Sequence, residues 1–459
     1  MSELVNAQPT RLVYGLEDQV PLMPALLVSL QQVGAMVVGT ITPALILSGI
    51  LHFSQSETAY LVSMALVASA LGTFLQTMRF GFVGSGLLSI TGTSFAFLAP
   101  LIQAGLAGGL PLMVGMSLAA TPVQLILAPF LPKLKRVFTP LVSGIVVLLI
   151  GLSLIPTGMR SIAKLPMEGA PAWSGGLVAL AVVTVMIIAQ SIGKAWARMA
   201  AVLVGVTTGY AICGFMGWLQ SPAPSNGSWL TVPQLLPWGL DFNWELLFPF
   251  AFIYLVCVLE AMGDITATSQ LSGLPTSGPA HWTRIRGGIL ADGLTCIFST
   301  LIGGFPSATY AQNNGVIQMT GVAARRIGWV MAIILLCLGI FPPVGRWITV
   351  MPACVLGAMA IMLFGLVAVS GLRLMVSGGL SQRDALIAAM ALGIGIGVPS
   401  QEEWLKTLPS VIQTFLESGV SAGGLVALLL NLLMPDWEKE RLVKEEPSEM
   451  LENIKTISN

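Results

Sequence analysis

Residues 251–269 read AFIYLVCVLEAMGDITATS, and the two acids inside this apolar run, Glu260 and Asp264, decide how the whole chain is read. A carboxylate at the centre of a bilayer costs about 2.5–3.5 kcal/mol on insertion scales, so such groups persist where they face a polar cavity and do work. The i,i+4 spacing puts both acids on one face of a helix. A third acid, Asp292, sits in a second apolar run, GGILADGL at 287–294. The chain has 21 acidic residues, and nearly all apart from these three fall in loops or tails. A carboxyl held out of water is a candidate proton carrier. The plainer reading is a hydrogen-bonded carboxyl that ties two helices together. That reading weakens when three such groups lie between 260 and 292.

The rest of the chain supplies the setting those acids need. Of its 459 residues, 55% are hydrophobic and only 9% are charged. Soluble domains carry roughly 25% charged residues. Lipid is the solvent that suits this composition, which excludes a water-soluble globular protein. Spans of about 20 apolar residues fit well over ten times into this length. Glycine (50) and proline (28) are frequent, as spanning helices tolerate. The formal net charge is zero, which argues neither for nor against an anionic partner, and no nucleic acid is expected. Cys213, Cys257, Cys296, Cys337 and Cys354 lie in apolar runs without metal-ligand spacing. They read as small buried side chains, with no metal and no cofactor expected. The N-terminus lacks the pattern of a cleaved signal peptide.

Hydropathy predicts fourteen spans, near 22–50, 59–78, 82–103, 109–131, 138–156, 173–192, 199–219, 244–269, 287–305, 306–322, 326–343, 348–368, 383–399 and 410–434. The third and tenth are short, polar and rich in Gly, Ser and Thr. One set of alternate loops holds Arg79, Lys133, Lys135, Arg136, Lys194, Arg198, Arg284, Arg286, Arg325, Arg326, Arg373 and Arg383. The other holds only Arg160, Lys164, Arg346 and Lys406. The positive-inside rule then places both termini, 1–21 and the charged tail 435–459, in the cytoplasm. The 220–243 loop, which has no basic residue, faces outward.

The halves resemble each other weakly. Pro140 opens an apolar run with Gly144 and Gly151 that ends near Gly158 and Arg160, and Pro352 opens a similar one with Gly357 and Gly365 that ends near Gly371 and Arg373. The offset is seven spans. An odd number inverts the second copy, a recurring transporter design. The two atypical spans also lie seven apart, and a matched pair of interrupted segments points to a midplane site.

The tenth span reads GGFPSATYAQNNGVIQMTGVAARR, residues 303–326. Phe305-Pro306 breaks the preceding helix, and Ser307 to Ala311 is expected to run extended. Gln312, Asn313 and Asn314 supply amide donors and acceptors, which suit a flat heterocycle with N–H and C=O edges. Gly315 lets a helix begin close to a ligand, and Thr320 follows one and a half turns later. Backbone left unpaired at membrane depth must line a cavity or meet a ligand, and a helix N-terminus favours partial negative charge on a solute. The third span, GSGLLSITGTSFAFLAP at 84–100, echoes this with Ser89, Thr91, Gly92, Thr93 and Ser94. The two extended segments are expected to pair, and Phe95 is placed to stack on a planar ligand.

Gln312-Asn313-Asn314-Gly315-Val316-Ile317-Gln318-Met319-Thr320-Gly321 resembles the signature of the nucleobase–ascorbate transporter family, also called nucleobase–cation symport family 2. That signature is [Gln/Glu/Pro]-Asn-x-Gly-x(4)-Thr-[Arg/Lys/Gly]. Glu260, Asp264 and Asp292 match in their contexts, and the likeness runs from ITPALI at 41–46 to SAGGLVALLLNLL at 421–433. The Gln-Asn-Asn-Gly form is most similar to bacterial xanthine and uric acid permeases.

The resemblance implies an all-α polytopic membrane protein of seven plus seven inverted spans, with short antiparallel strands in spans 3 and 10. It implies a core domain at 22–131 (spans 1–4) and 244–343 (spans 8–11), and a gate domain at 138–219 (spans 5–7) and 348–434 (spans 12–14). The implied activity is proton symport of a nucleobase across the bacterial inner membrane, the core moving against the gate like an elevator. A homodimer through the gate is also implied. Glu260 would hydrogen-bond the purine, Gln312 would be its second anchor, and Asn313, Gly315, Phe95 and Ala96 would shape the site. Asp264, Asp292, Gln32 and Thr320 would serve proton coupling or site integrity. Two departures bear on substrate choice: the Gln-His common in span 1 of the family is Gln31-Gln32 here, and the GTSFNF of its xanthine-type members is GTSFAF, with Ala96. The same fold also suits a permease for hypoxanthine, guanine, adenine or uracil. An anion exchanger would want positive groups or bare helix dipoles rather than three acids. An intramembrane aspartyl protease would want Gly-x-Gly-Asp, whereas Ala261 stands at the first glycine, and no enzyme is expected.

Overall fold

A computed structural model of the chain describes residues 12–131, 139–165, 169–192, 195–219, 230–310, 312–341, 350–376 and 379–434. Residues 1–11, the 220–229 part of the long loop and the tail from 435 lie outside them, as do Lys133, Lys135, Arg136, Lys194 and Arg346. Helix dominates, because in lipid each backbone amide must find its partner within its own segment. The helices are α1 (Leu22–Leu51), α2 (Gln55–Thr77), α3 (Leu98–Ala120), α4 (Pro122–Leu127), α5 (Pro140–Ala163), α6 (Ser174–Ser191), α7 (Ala195–Phe215), α8 (Trp244–Leu271), α9 (Gly278–Leu301), α10 (Gln312–Thr320), α11 (Arg326–Ile340), α12 (Ala353–Val376), α13 (Gln382–Gly397), α14 (Ser410–Glu417) and α15 (Gly419–Leu433). A turn of helix, Glu402–Leu405, precedes α14. Eight helical segments among the described residues are long and apolar enough to cross a membrane, and three shorter apolar ones accompany them. The chain is a polytopic all-α protein with two short strands, β1 (Thr91–Thr93) and β2 (Ser307–Thr309).

Several boundaries differ from the hydropathy reading, each for a local reason. α2 starts at Gln55 rather than 59, because Ser54 caps it and Glu57 closes a capping box. α9 starts at Gly278 rather than 287, with Pro279 in its first turn, so Arg284 and Arg286 are helical. The third and fourth spans run together as α3, broken at Gly109, whose φ of 67° no ordinary helical residue adopts. The last span divides at Ser418, which ends α14 and caps α15 through the Ser421 amide. α5 and α12, the runs that suggested a repeat, are each 24 residues long. Of the cysteines, Cys213, Cys257, Cys296 and Cys354 are buried as expected, but Cys337 is exposed.

The chain forms two compact units, Met1–Lys133 with Ile150–Leu366, and Leu134–Leu149 with Val367–Asn459. In the second, α13 packs on α15. The first holds both strands, which pair antiparallel with Thr91 opposite Thr309, Gly92 opposite Ala308 and Thr93 opposite Ser307. All six residues are buried. Beyond the ladder, side chains of neighbouring helices complete their backbone bonding. Thr73 of α2 accepts from the Thr91 amide at 3.2 Å, and Ser69 donates to the Thr91 carbonyl. The Tyr310 hydroxyl donates to the Thr93 carbonyl at 2.7 Å. Cys296 of α9 accepts from the Ser307 amide at 3.3 Å and donates to its carbonyl at 3.1 Å. The Ser94 amide reaches Pro306 O at 3.0 Å and the Tyr310 amide reaches Ile90 O at 2.8 Å, closing both ends of the pair.

Gly92 is forced by this crowding. A Cβ there would stand 2.6 Å from the Thr40 hydroxyl and 2.6 Å from the Tyr310 ring. Gly92→Ala should destabilise the protein by about 1–3 kcal/mol, the usual cost of overpacking. The check is a thermal-unfolding scan in detergent beside Gly365→Ala, whose added Cβ meets nothing within 4 Å. Gly92→Ala should melt lower and Gly365→Ala should not. Equal midpoints would mean that the strands yield without cost.

Candidate functional site

The site is built where α8 and α9 pass the strand pair. On α8, Glu260, Asp264 and Thr268 recur every four residues and so share a face. Asp264 and Asp292 are buried, and Glu260 is half-buried. Each acid has a different environment. Asp292 of α9 accepts from Gln76 Nε2 of α2 at 2.8 Å, and the same nitrogen donates to the Gly288 carbonyl at 2.8 Å. Its second oxygen, Oδ2, has no hydrogen-bond partner among the described residues. Asp264 accepts from the Thr309 hydroxyl of β2 at 3.3 Å. Glu260 accepts no hydrogen bond and forms no ion pair with any described residue. It lies within electrostatic reach of Asp264, Asp292 and Tyr310. Three acids with no cation paired to them among the described residues form a site of concentrated negative charge or, with protons bound, a cluster of hydrogen-bond donors.

The amides of the tenth span face the first helix. β2 leads through Tyr310 into α10, which begins at Gln312. The Gln312 side chain lies outside the described residues. Asn313 is buried, and its Nδ2 donates to Gln32 Oε1 at 2.6 Å and to Gln32 O at 3.2 Å. The polar atoms left over, Gln32 Nε2 and Asn313 Oδ1, are buried without partners among the described residues. Gln32, which stands where the family pattern has a titratable His, thus makes an amide–amide bond to Asn313. Asn314 Oδ1 accepts from the Thr268 hydroxyl at 2.8 Å, which ties α10 to α8. Gly315 has open space where a Cβ would project.

The remaining expected residues are placed as follows. Phe95 opens a single 3₁₀ turn after β1, half-buried, with its ring edge-to-face on Phe364 at 5.6 Å. Ala96 is buried in the same turn. Ser94 just before them lies 3.7 Å from Cys257 Sγ, one helical turn ahead of Glu260. Thr320 bonds locally. Its hydroxyl donates to Val316 O at 2.8 Å and accepts from the Val322 amide at 3.2 Å, so it closes the end of α10. That end is also held by the N-terminal segment, where Val13 N donates to Gly321 O at 2.8 Å and Glu17 pairs with Arg325 at 2.6 Å.

Sequence reasoning missed Gln76, Thr309, Tyr310 and Thr268. Gln76 carried a usable signal, a polar side chain within an apolar span. The others are ordinary residues whose role depends on which helix faces them.

Comparison with known proteins follows the same direction. The model of the permease family described as Xan_ur_permease matches residues 23–404. Xanthine permease XanP of Escherichia coli K12 is 40% identical over 453 residues, covering 94% of this chain and 98% of that protein. Xanthine permease XanQ of the same strain is 38% identical over 448 residues, with 94% and 95% covered. A purine permease of Emericella nidulans is 31% identical over 497 residues, with 94% and 85% covered. Two solved structures share the fold: the transmembrane domain of the cyanobacterial bicarbonate transporter BicA (TM-score 0.56, 16% identity, 91% of this chain and 99% of that one) and murine Slc26a9 in its inward-facing state (TM-score 0.60, 11% identity, 91% and 69%). The chain belongs to the permease family matched here, the nucleobase–ascorbate transporters, and is a multi-pass membrane transporter rather than an enzyme.

Proposed function

We propose that the chain imports a purine nucleobase together with protons across the bacterial inner membrane, with xanthine and uric acid the first candidates. The observation that carries this reading is Glu260, a half-buried carboxyl with no partner among the described residues. A carboxylate left unpaired away from water is costly, and a purine N–H edge would satisfy it. The leftover donor on Gln32 and acceptor on Asn313 are suited to the alternating edge of the same kind of solute. The similarity to XanP and XanQ supports xanthine in particular. Asp264 and Asp292 are the groups assigned to proton coupling or to holding the strands. The core, residues 22–131 and 244–343, carries the solute past the gate, residues 138–219 and 348–434, and two copies associate through the gate. Both termini lie in the cytoplasm.

In proteoliposomes, an inward proton gradient should drive accumulation of radiolabelled xanthine. Glu260→Gln and Gln312→Ala should each reduce uptake roughly tenfold or more, the effect of losing a hydrogen bond to a charged or buried group. Intact uptake in both variants, or no response to the gradient, would overturn the proposal. A panel of unlabelled purines and pyrimidines should show xanthine and uric acid competing best, with uracil far weaker. Orientation is checked in intact cells with a membrane-impermeant maleimide on a Cys337→Ser background. Ser225→Cys in the outward loop should label and Ser458→Cys in the tail should not.

A further inference from the structure

α2 and α11 run antiparallel. Thr77 packs where a Cβ on Gly328 would be, and Val67 packs where one on Gly339 would be. Beside this seam lies an apolar groove of about 500 Å³, lined by Val67 and Phe74 of α2, Met78 just after it, Phe298 of α9, and Ile333 and Leu336 of α11. Ile333 is 63% exposed, so the groove opens to the surroundings. Its length from Val67 to Met78 is roughly 16 Å at the helical rise of 1.5 Å per residue. That is about half the ~30 Å hydrocarbon core, the depth of one leaflet.

The two ends of the groove are chemically different. The Val67 end continues into an apolar cluster with Met64 and Ile302. At the Met78 end, Trp329 lines the groove, and its Nε1 is buried without a partner among the described residues. Arg79 follows Met78, and Arg326 lies one turn before Trp329. Both arginines are exposed, and neither forms an ion pair among the described residues, the nearby Glu17 being taken by Arg325. An apolar slot one leaflet deep thus ends beside an indole ring and two cations with no ion-pair partner among the described residues. Interfacial tryptophan and arginine are the usual contacts of the lipid headgroup region.

We propose that the groove binds one acyl chain of an anionic glycerophospholipid, with the phosphate held by Arg79 and Arg326 and the glycerol ester region packed against the Trp329 ring. On the orientation proposed above the lipid belongs to the cytoplasmic leaflet, where anionic headgroups attract basic side chains; the site itself does not depend on that orientation. The lipid braces α2, whose opposite face carries Ser69, Thr73 and Gln76, the residues that hold β1 and Asp292.

Native mass spectrometry of the full chain, delipidated in detergent and titrated with phosphatidylglycerol or phosphatidylcholine, tests this. One phosphatidylglycerol per chain should persist in preference to phosphatidylcholine. Arg79→Gln with Arg326→Gln should lower its retention by roughly thirtyfold, the effect of two basic residues near an anionic headgroup. Ala332→Phe, which fills the groove, should remove both lipids. If that variant fails to fold by size-exclusion chromatography, the arginine pair, exposed on the surface, still decides. Equal retention of the two lipids by the parent, or unchanged retention in the arginine variant, would overturn the site. A groove variant that altered the oligomeric state and left lipid retention intact would reassign the groove to a second copy of the chain.

Discussion

Backbone at membrane depth has no water to bond, and two spans of this chain are not helical where they meet. That constraint organises the rest of the first unit. Three residues of each broken span pair with each other, and the groups left over are taken by Ser69 and Thr73 of α2, Cys296 of α9 and the Tyr310 hydroxyl. The small residues in these stretches follow from the same crowding, since Gly92 sits against both Thr40 and the Tyr310 ring. A sheet of only two strands is marginal on its own in water. Here it is surrounded by helices that complete its bonding, and it becomes a fixed platform beside the acids.

The platform gives each acid its own environment. Asp292 is anchored through Gln76 to the helix that also holds β1, and Asp264 touches β2 through Thr309. Asp264 is thus linked to a strand directly and Asp292 through α2. Glu260, one turn before Asp264, has no such anchor among the described residues and is half-buried. The difference between one unanchored acid and two strand-linked acids comes from what faces each helix turn, because the three carboxyls are chemically alike.

Transporters with unlike cargoes share this fold, as the likeness to BicA and Slc26a9 shows. Fold alone does not select a solute. Around the break this chain carries acids and amides among its described residues. Gln32 illustrates how a departure from a family pattern is absorbed. Its amide bonds Asn313, so the position keeps a hydrogen-bonding role without titrating.

The sequence by itself determined the solvent, the class and the places where helix fails. Composition rules out water, since so few charges cannot cover a soluble surface. Phe305-Pro306 and the Gly/Ser/Thr run at 84–94 mark the two breaks, and the isolated acids stand out because an apolar span makes each one costly. Element ends were less legible where a cap or a left-handed glycine decides them, as at Ser54, Gly109 and Ser418. The tertiary structure alone decided register and partners. Thr91 lies opposite Thr309 and Gln76 meets Asp292 across 216 residues of sequence, because packing and hydrogen-bond satisfaction are settled between elements. No local pattern records which helix turn will face which, and so the acids were visible from the chain while their separate surroundings were not.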